Sequence, residues 1–246
     1  MSKAPKKSKK DYNTDARVKY EDKLPNKLVV IKNKDKQWDE KWHDNRNIAN
    51  FPAPFRMCLV GGVGAGKTNT AKNIILRARP MYDKIILCHC DKSSKEWDDL
   101  DIDDDSKFFD SQLPSLDFFE DKDPKEKWLL LIEDCEFKNE GKNKELSMLF
   151  RYISSHKKVA IMLLYQNFTG IPKIARRLAN IFVVYKIPDT LALETIGRKC
   201  GLKKGELINM FDTIAPGPKD SITLDLTPGT PAPIRLNLFQ RVTRKV

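Results

Sequence analysis

The sequence is poor in the features that mark a membrane or secreted protein. Its longest unbroken apolar run, Val159 to Tyr165, is seven residues, far short of a bilayer span. The lysines of MSKAPKKSKK have no apolar stretch behind them, so this segment does not read as a secretory signal. Cysteine is scarce and odd in number: Cys58, Cys88, Cys90, Cys135 and Cys200 show no small-domain disulfide spacing, which favours a reducing compartment. Apolar residues are only 40% of the 246 and charged residues 32%, so part of the chain must be solvated. Length allows one domain with a sizeable core plus a tail.

What is abundant is positive charge, unevenly spread. Against an overall +11, residues 1–50 carry +6, 51–90 carry +5, 91–127 carry −8 and 128–246 carry +8. The sequence therefore divides into a basic, partly disordered tail (1–50) and a domain (51–246) holding an acidic insertion at about 91–127. Clustered Lys and Arg suit a polyanionic partner, because they release counterions condensed on a nucleic-acid backbone. A lysine tail that only keeps the chain soluble is the plainer alternative.

Within the tail, Leu28–Ile31 reads as a short edge strand, with Trp38, Trp42 and His43 as anchors. From Phe55 onward, strand-length apolar runs recur at 55–60, 84–88, 128–132, 159–164 and 181–185. Runs without alternation imply strands covered on both faces, as in a parallel sheet. Helical spacing appears between them at 67–79, 143–155, 172–179 and 190–200, then at 203–213. Residues 221–226 and 233–239 flank a Pro/Gly-rich turn and read as a hairpin, so a C-terminal helix and hairpin occupy about 203–240. The expected fold is α/β, doubly wound, with a mainly parallel central sheet.

Gly61-Gly62-Val63-Gly64-Ala65-Gly66-Lys67-Thr68 fits G-x-x-x-x-G-K-[ST] between a strand and an amphipathic helix. Glycines let the backbone N–H groups converge on phosphate oxygens, and the following helix offers its positive end to the same anion. Lys67 is expected on the β- and γ-phosphates and Thr68 on Mg²⁺, with Asn69 completing the nucleotide-binding run; the implied cofactors are ATP and Mg²⁺. Leu129-Leu130-Leu131-Ile132-Glu133-Asp134 is an apolar strand running into two acids, the form of a Walker B element. Glu133 is expected on the metal side and Asp134 as the base that polarises water. A shifted register would instead make Asp134 the metal ligand and Glu136 the base. Gln166, ending the next strand, can donate to phosphate and accept from water, as the sensor of an additional-strand ATPase does. Arg176 and Arg177, adjacent on a helix, are candidates for an arginine finger across a subunit interface, and Arg151 is a third.

Other patterns lack necessary parts. Asn33-Lys34-Asp35 misses the acid of a guanine-binding motif. Asp101–Asp105 starts like a calcium loop, but Ser106 and Gln112 stand where the turn glycine and bidentate Glu belong. Cys88-His89-Cys90 has no second ligand pair for zinc, and both cysteines read as core residues. Trp97, Phe108, Phe109, Phe118 and Phe119 read as anchors of the acidic insertion.

Taken together, FRMCLVGGVGAGKTN, WLLLIEDC and AIMLLYQN with its Pro-started, Arg-bearing helix resemble the poxvirus-type genome-packaging ATPases of the FtsK–HerA branch. The resemblance spans about residues 50–187. It implies a P-loop NTPase of the additional-strand type with helices on both faces of the sheet. It further implies an oligomeric, ring-forming motor that moves double-stranded DNA into a preformed capsid, with capsid proteins as partners. The implied location is the infected cell at the site of virion assembly, or the virion. Gly61, Gly66, Lys67 and Thr68 match the Walker A loop, Glu133 and Asp134 the acidic pair, and Gln166 the sensor. Glu133 stands where the family more often has Asp. A nucleoside-kinase-like phosphotransferase and a non-hydrolysing, nucleotide-switched DNA-binding scaffold are the alternatives.

Overall fold

The structure, a computed structural model, describes residues 51–242 apart from 53, 79, 80, 138 and 231. The tail of residues 1–50, with its expected strand at Leu28–Ile31 and anchors Trp38, Trp42 and His43, lies outside the described residues.

Among the described residues nine strands form one sheet: β1 (Arg56–Val60), β2 (Lys84–His89), β3 (Lys107–Phe108), β4 (Trp128–Glu133), β5 (Ala160–Tyr165), β6 (Ile181–Tyr185), β7 (Ser221–Asp225), β8 (Ile234–Leu236) and β9 (Gln240–Arg241). Their order is β3-β2-β4-β5-β1-β6-β7-β8-β9. Pairings from β3 through β6 are parallel, and those from β6 to β9 are antiparallel. Strand β5 lies between β1 and β4, so the strand leading into the phosphate loop and the strand running into two acids are separated by one additional strand. This is the α/β, additional-strand sheet expected from the sequence.

The apolar runs are explained by cover on both faces. Every residue of β4, β5 and β6 is buried. Helix α1 (Lys67–Leu76) packs Ala71, Ile74 and Ile75 against Met57, Leu59, Leu131 and Leu164 on one face. The opposite face is covered by α2 (Glu140–Met148), α3 (Lys173–Leu178), α4 (Thr190–Lys199) and α5 (Glu206–Thr213), which meet Cys58, Leu130, Ile132 and Leu163. Strand alternation sends Leu129, Leu131 and Glu133 toward α1, and Leu130 and Ile132 away.

Helix α2 starts three residues earlier than its apolar spacing indicates, because Asn139 Oδ1 accepts from Lys142 N at 2.7 Å and caps it. It continues through a π-helical turn, Leu149–Ile153, that seats Leu149, Phe150 and Ile153 in the core.

The acidic insertion is held by its aromatics. Trp97 and Phe119 are buried, and the Phe118 and Phe119 rings each lie 6.1 Å from that of Trp128. It also donates β3 to the sheet edge, a two-residue strand without a sequence signal of its own. Cys88 is a core residue, but Cys90 is exposed, because β2 ends at His89 and the alternation stops there. The C-terminal hairpin forms as β7–β8, with β8 shorter than expected. Asn237 and Leu238 take φ of 48° and 71°, turning the chain into β9. No helix among the described residues is long and apolar enough to cross a membrane.

Candidate functional site

The loop 61–66 joins β1 to α1 at the carboxyl end of the parallel strands. Gly66 caps α1 with φ 105°, a conformation a side chain would strain. At Gly61 the reason for glycine is contact, since a Cβ would sit 2.8 Å from Tyr185 Cδ2. Lys67, only 8% exposed, turns its ammonium back into the loop. There Nζ donates to the carbonyls of Gly61 at 2.9 Å and Gly62 at 3.2 Å. Val63 and Gly64 face solvent at the tip, Gly62, Ala65 and Thr68 are half-buried, and Asn69 is exposed on the first turn of α1. Tyr185, ending β6, closes the loop's base by donating its hydroxyl to Gly66 O at 3.1 Å while sharing a hydrogen bond with Thr70 Oγ1.

Glu133, the last residue of β4, is turned toward α1 by strand alternation and is 4% exposed. Its oxygens have different partners. Oε1 accepts from Thr68 Oγ1 at 2.9 Å, and Oε2 accepts from Trp97 Nε1 at 2.6 Å. His89 Nε2 lies 3.6 Å from Oε2. Burial raises the Glu133 carboxyl above its ordinary value, and the hydrogen bonds from Trp97 and Thr68 oppose that shift. A threonine hydroxyl beside a carboxylate oxygen at the mouth of a phosphate loop is the hard-oxygen donor set that Mg²⁺ takes. The residues present therefore fit the ion.

Asp134 leaves the strand differently. Its φ of 48° is one that Asp tolerates better than most side chains, and it swings the carboxylate out of the β4 alternation. The backbone N–H donates to Leu164 O at 3.0 Å, while Oδ2 accepts from Gln166 Nε2 at 3.1 Å. The expected base and sensor thus meet, at a cleft of about 420 Å³ lined by Asp134, Glu136, Tyr165, Gln166, Asn167 and Gly170. Tyr165 donates its hydroxyl to Cys135 O at 2.5 Å, tying the ends of β4 and β5 together. Glu136 is exposed, with its backbone N–H on Ser111 Oγ at 3.0 Å.

The arginines stand apart from this assembly. Helix α3 packs on the sheet face opposite α1, with Ala175 in that core. The Arg176 guanidinium lies 5.2 Å from the centre of the Phe168 ring, while Arg177 is exposed with its carbonyl accepting from Lys199 Nζ. Arg151 is exposed on the π-helical turn.

Three contributors to the site carry no sequence pattern: Trp97, His89 and Tyr185. A tryptophan in an acidic insertion reads as an anchor, and nothing in its spacing from Glu133 announces a hydrogen bond 36 residues away.

No family model and no curated protein sequence matches the chain. Solved structures do. The genome packaging NTPase B204 from Sulfolobus turreted icosahedral virus 2, in complex with sulfate, superposes with a TM-score of 0.56 at 14% identity, covering 79% of this chain and 100% of that one. The same protein in complex with AMPPCP gives 0.52 at 15% identity, with 78% and 100% covered. B204, the DNA-packaging ATPase from Sulfolobus turreted icosahedral virus, gives 0.51 at 10% identity, again with 78% and 100% covered. At such identities the likeness is one of fold: the chain carries the P-loop NTPase fold, and these neighbours are packaging NTPases, the family that its motifs resemble.

Proposed function

We propose that the chain is an ATP-hydrolysing motor that moves double-stranded DNA into a preformed capsid, working as a homo-oligomeric ring at the site of virion assembly. The observation that carries the reading is the 2.9 Å contact between Thr68 Oγ1 and Glu133 Oε1. It joins the end of the phosphate loop to the acid-ended strand across the intervening β5. The fold shared with B204, solved as a genome packaging NTPase and with AMPPCP, supports the same reading.

On this reading residues 51–246 are the ATPase domain and residues 1–50 a basic tail. Gly61 to Asn69 hold the nucleotide, and Lys67 Nζ exchanges the Gly61 and Gly62 carbonyls for phosphate oxygens. Thr68 and Glu133 are the residues that would hold Mg²⁺, whose charge offsets that of the phosphates. Asp134 accepts the proton of the attacking water, and Gln166, already bonded to Asp134, orients that water and reports on the phosphate. Arg176 or Arg177, on the face opposite α1, acts on a neighbouring subunit's nucleotide. Lys and Arg elsewhere grip the DNA backbone through charge.

The test pairs ATPase rate, with and without double-stranded DNA, with the mass of the oligomer. Stimulation by DNA that weakens steeply as salt rises, in an oligomer, is the expected result. A monomer whose turnover ignores DNA but rises with a nucleoside acceptor would replace the motor with a phosphotransferase.

A further inference from the structure

The acidic insertion does more than cover the sheet edge. Its segment 97–100 is a tight turn, closed by Leu100 N donating to Trp97 O at 3.0 Å, and both side chains are buried in the core on the α1 face. Two polar contacts fasten this turn. Trp97 donates its indole N–H to Glu133 Oε2 at 2.6 Å, and Asp99 pairs with Lys72 of α1 at 2.6 Å. The Lys72 ammonium also lies 5.6 Å from the centre of the Trp97 ring. The insertion thus bridges the helix that follows the phosphate loop and the acid at the end of β4.

A buried carboxylate has two equivalent oxygens and rotates about its last bond unless both are engaged. Here Trp97 occupies one, which leaves Oε1 turned to Thr68. Outer-shell donors of this kind orient metal-holding carboxylates, and their removal commonly weakens metal affinity or activity by about 10–100-fold.

We propose that Trp97 is a positioning residue of the nucleotide site: its indole N–H fixes Glu133 so that Oε1 points at the ion shared with Thr68. The assignment rests on the reading of Glu133 as the ion-holding acid. Trp97 touches neither nucleotide nor reacting water; it acts through Glu133.

Trp97→Phe keeps an aromatic ring and removes the donor. In the full chain, binding of a fluorescent ATP analogue is measured with EDTA and across a Mg²⁺ titration, beside steady-state turnover. Analogue affinity in EDTA stays within about twofold of wild type, because the phosphate loop is untouched. The Mg²⁺ concentration needed for half-saturation rises about tenfold, while KM for ATP at saturating Mg²⁺ barely moves. Leu100→Ala, which opens a cavity in the same turn, lowers the melting temperature without moving the Mg²⁺ dependence. A second readout uses wild-type protein only. The Trp97 indole N–H resonance, specifically labelled, shifts when Mg²⁺ is added to the nucleotide complex. Equal Mg²⁺ dependence in wild type and Trp97→Phe would overturn the assignment, as would an indole resonance that ignores Mg²⁺. If wild type binds and hydrolyses nucleotide with no Mg²⁺ dependence at all, the reading of Glu133 falls, and the role of Trp97 with it.

Discussion

Glu133 and Asp134 are neighbours in sequence, yet they lie in two different environments. Glu133 is buried on the α1 face, with one oxygen on Thr68 and the other on Trp97. Asp134 is half-exposed on a left-handed turn and meets Gln166 at an open cleft. The first environment suits a group that stays put beside an ion. The second suits a group that must reach water and take up its proton. The pair shows that the surroundings of two adjacent carboxylates depend on where the strand ends. A residue still in β4 follows the pleat toward α1, and the residue after it is free of the pleat. Glu136 lies beyond Asp134, exposed beside the same cleft.

On the proposed reading both carboxylates depend on Lys67, so its removal sets the floor of this comparison. Lys67→Ala is expected to lower turnover by more than about 10³-fold, as losing a transition-state charge clamp does; normal hydrolysis in that variant would detach the whole site from the loop. Next in size comes Asp134→Asn, expected to lower kcat by about 10²–10⁴-fold with the Mg²⁺ dependence unmoved, the range for loss of a general base. Glu136→Gln should turn over like wild type. The opposite pattern, an active Asp134→Asn and a dead Glu136→Gln, would shift the register by two. Glu133→Gln is expected to cost about 10–100-fold in Mg²⁺ affinity, measured as the half-saturating concentration in the same assay.

The smallest effect concerns stability. Burial holds the Glu133 carboxyl above its ordinary value, so ionising it costs more in the folded state than in the unfolded chain. The penalty is absent below the unfolded value of 4.5 and grows as pH rises through the raised one. Glu133→Gln should therefore raise the melting temperature of the nucleotide-free protein more at pH 7 than at pH 4. An equal gain at both would mean that Glu133 is not charged against its surroundings, and its contrast with Asp134 would lose its electrostatic half.

Much of the architecture was readable from local pattern. Continuous apolar runs marked β1, β2, β4, β5 and β6 to within a residue or so, because strands buried on both faces cannot carry alternation. The phosphate loop was readable because its glycines answer a local backbone demand. Strand β3 was not, since two residues pairing at a sheet edge have no period to detect. Cys90 escapes the alternation that buries Cys88, because the strand ends at His89. Trp97 was legible as an anchor but not as a partner of Glu133, because that contact requires the insertion to fold back across β2 and β4.

By itself, then, the sequence determined the phosphate loop, the acid-ended strand and the order of helices and strands. Each depends on residue types within a few positions of one another, where backbone sterics and apolar periodicity act. The tertiary structure alone decided which acid faces α1, that Gln166 meets Asp134, that Tyr185 closes the loop and that Trp97 holds Glu133. Those contacts join residues 32 to 119 positions apart. They form only once burial of both sheet faces has set the strand order, and no local pattern carries that information.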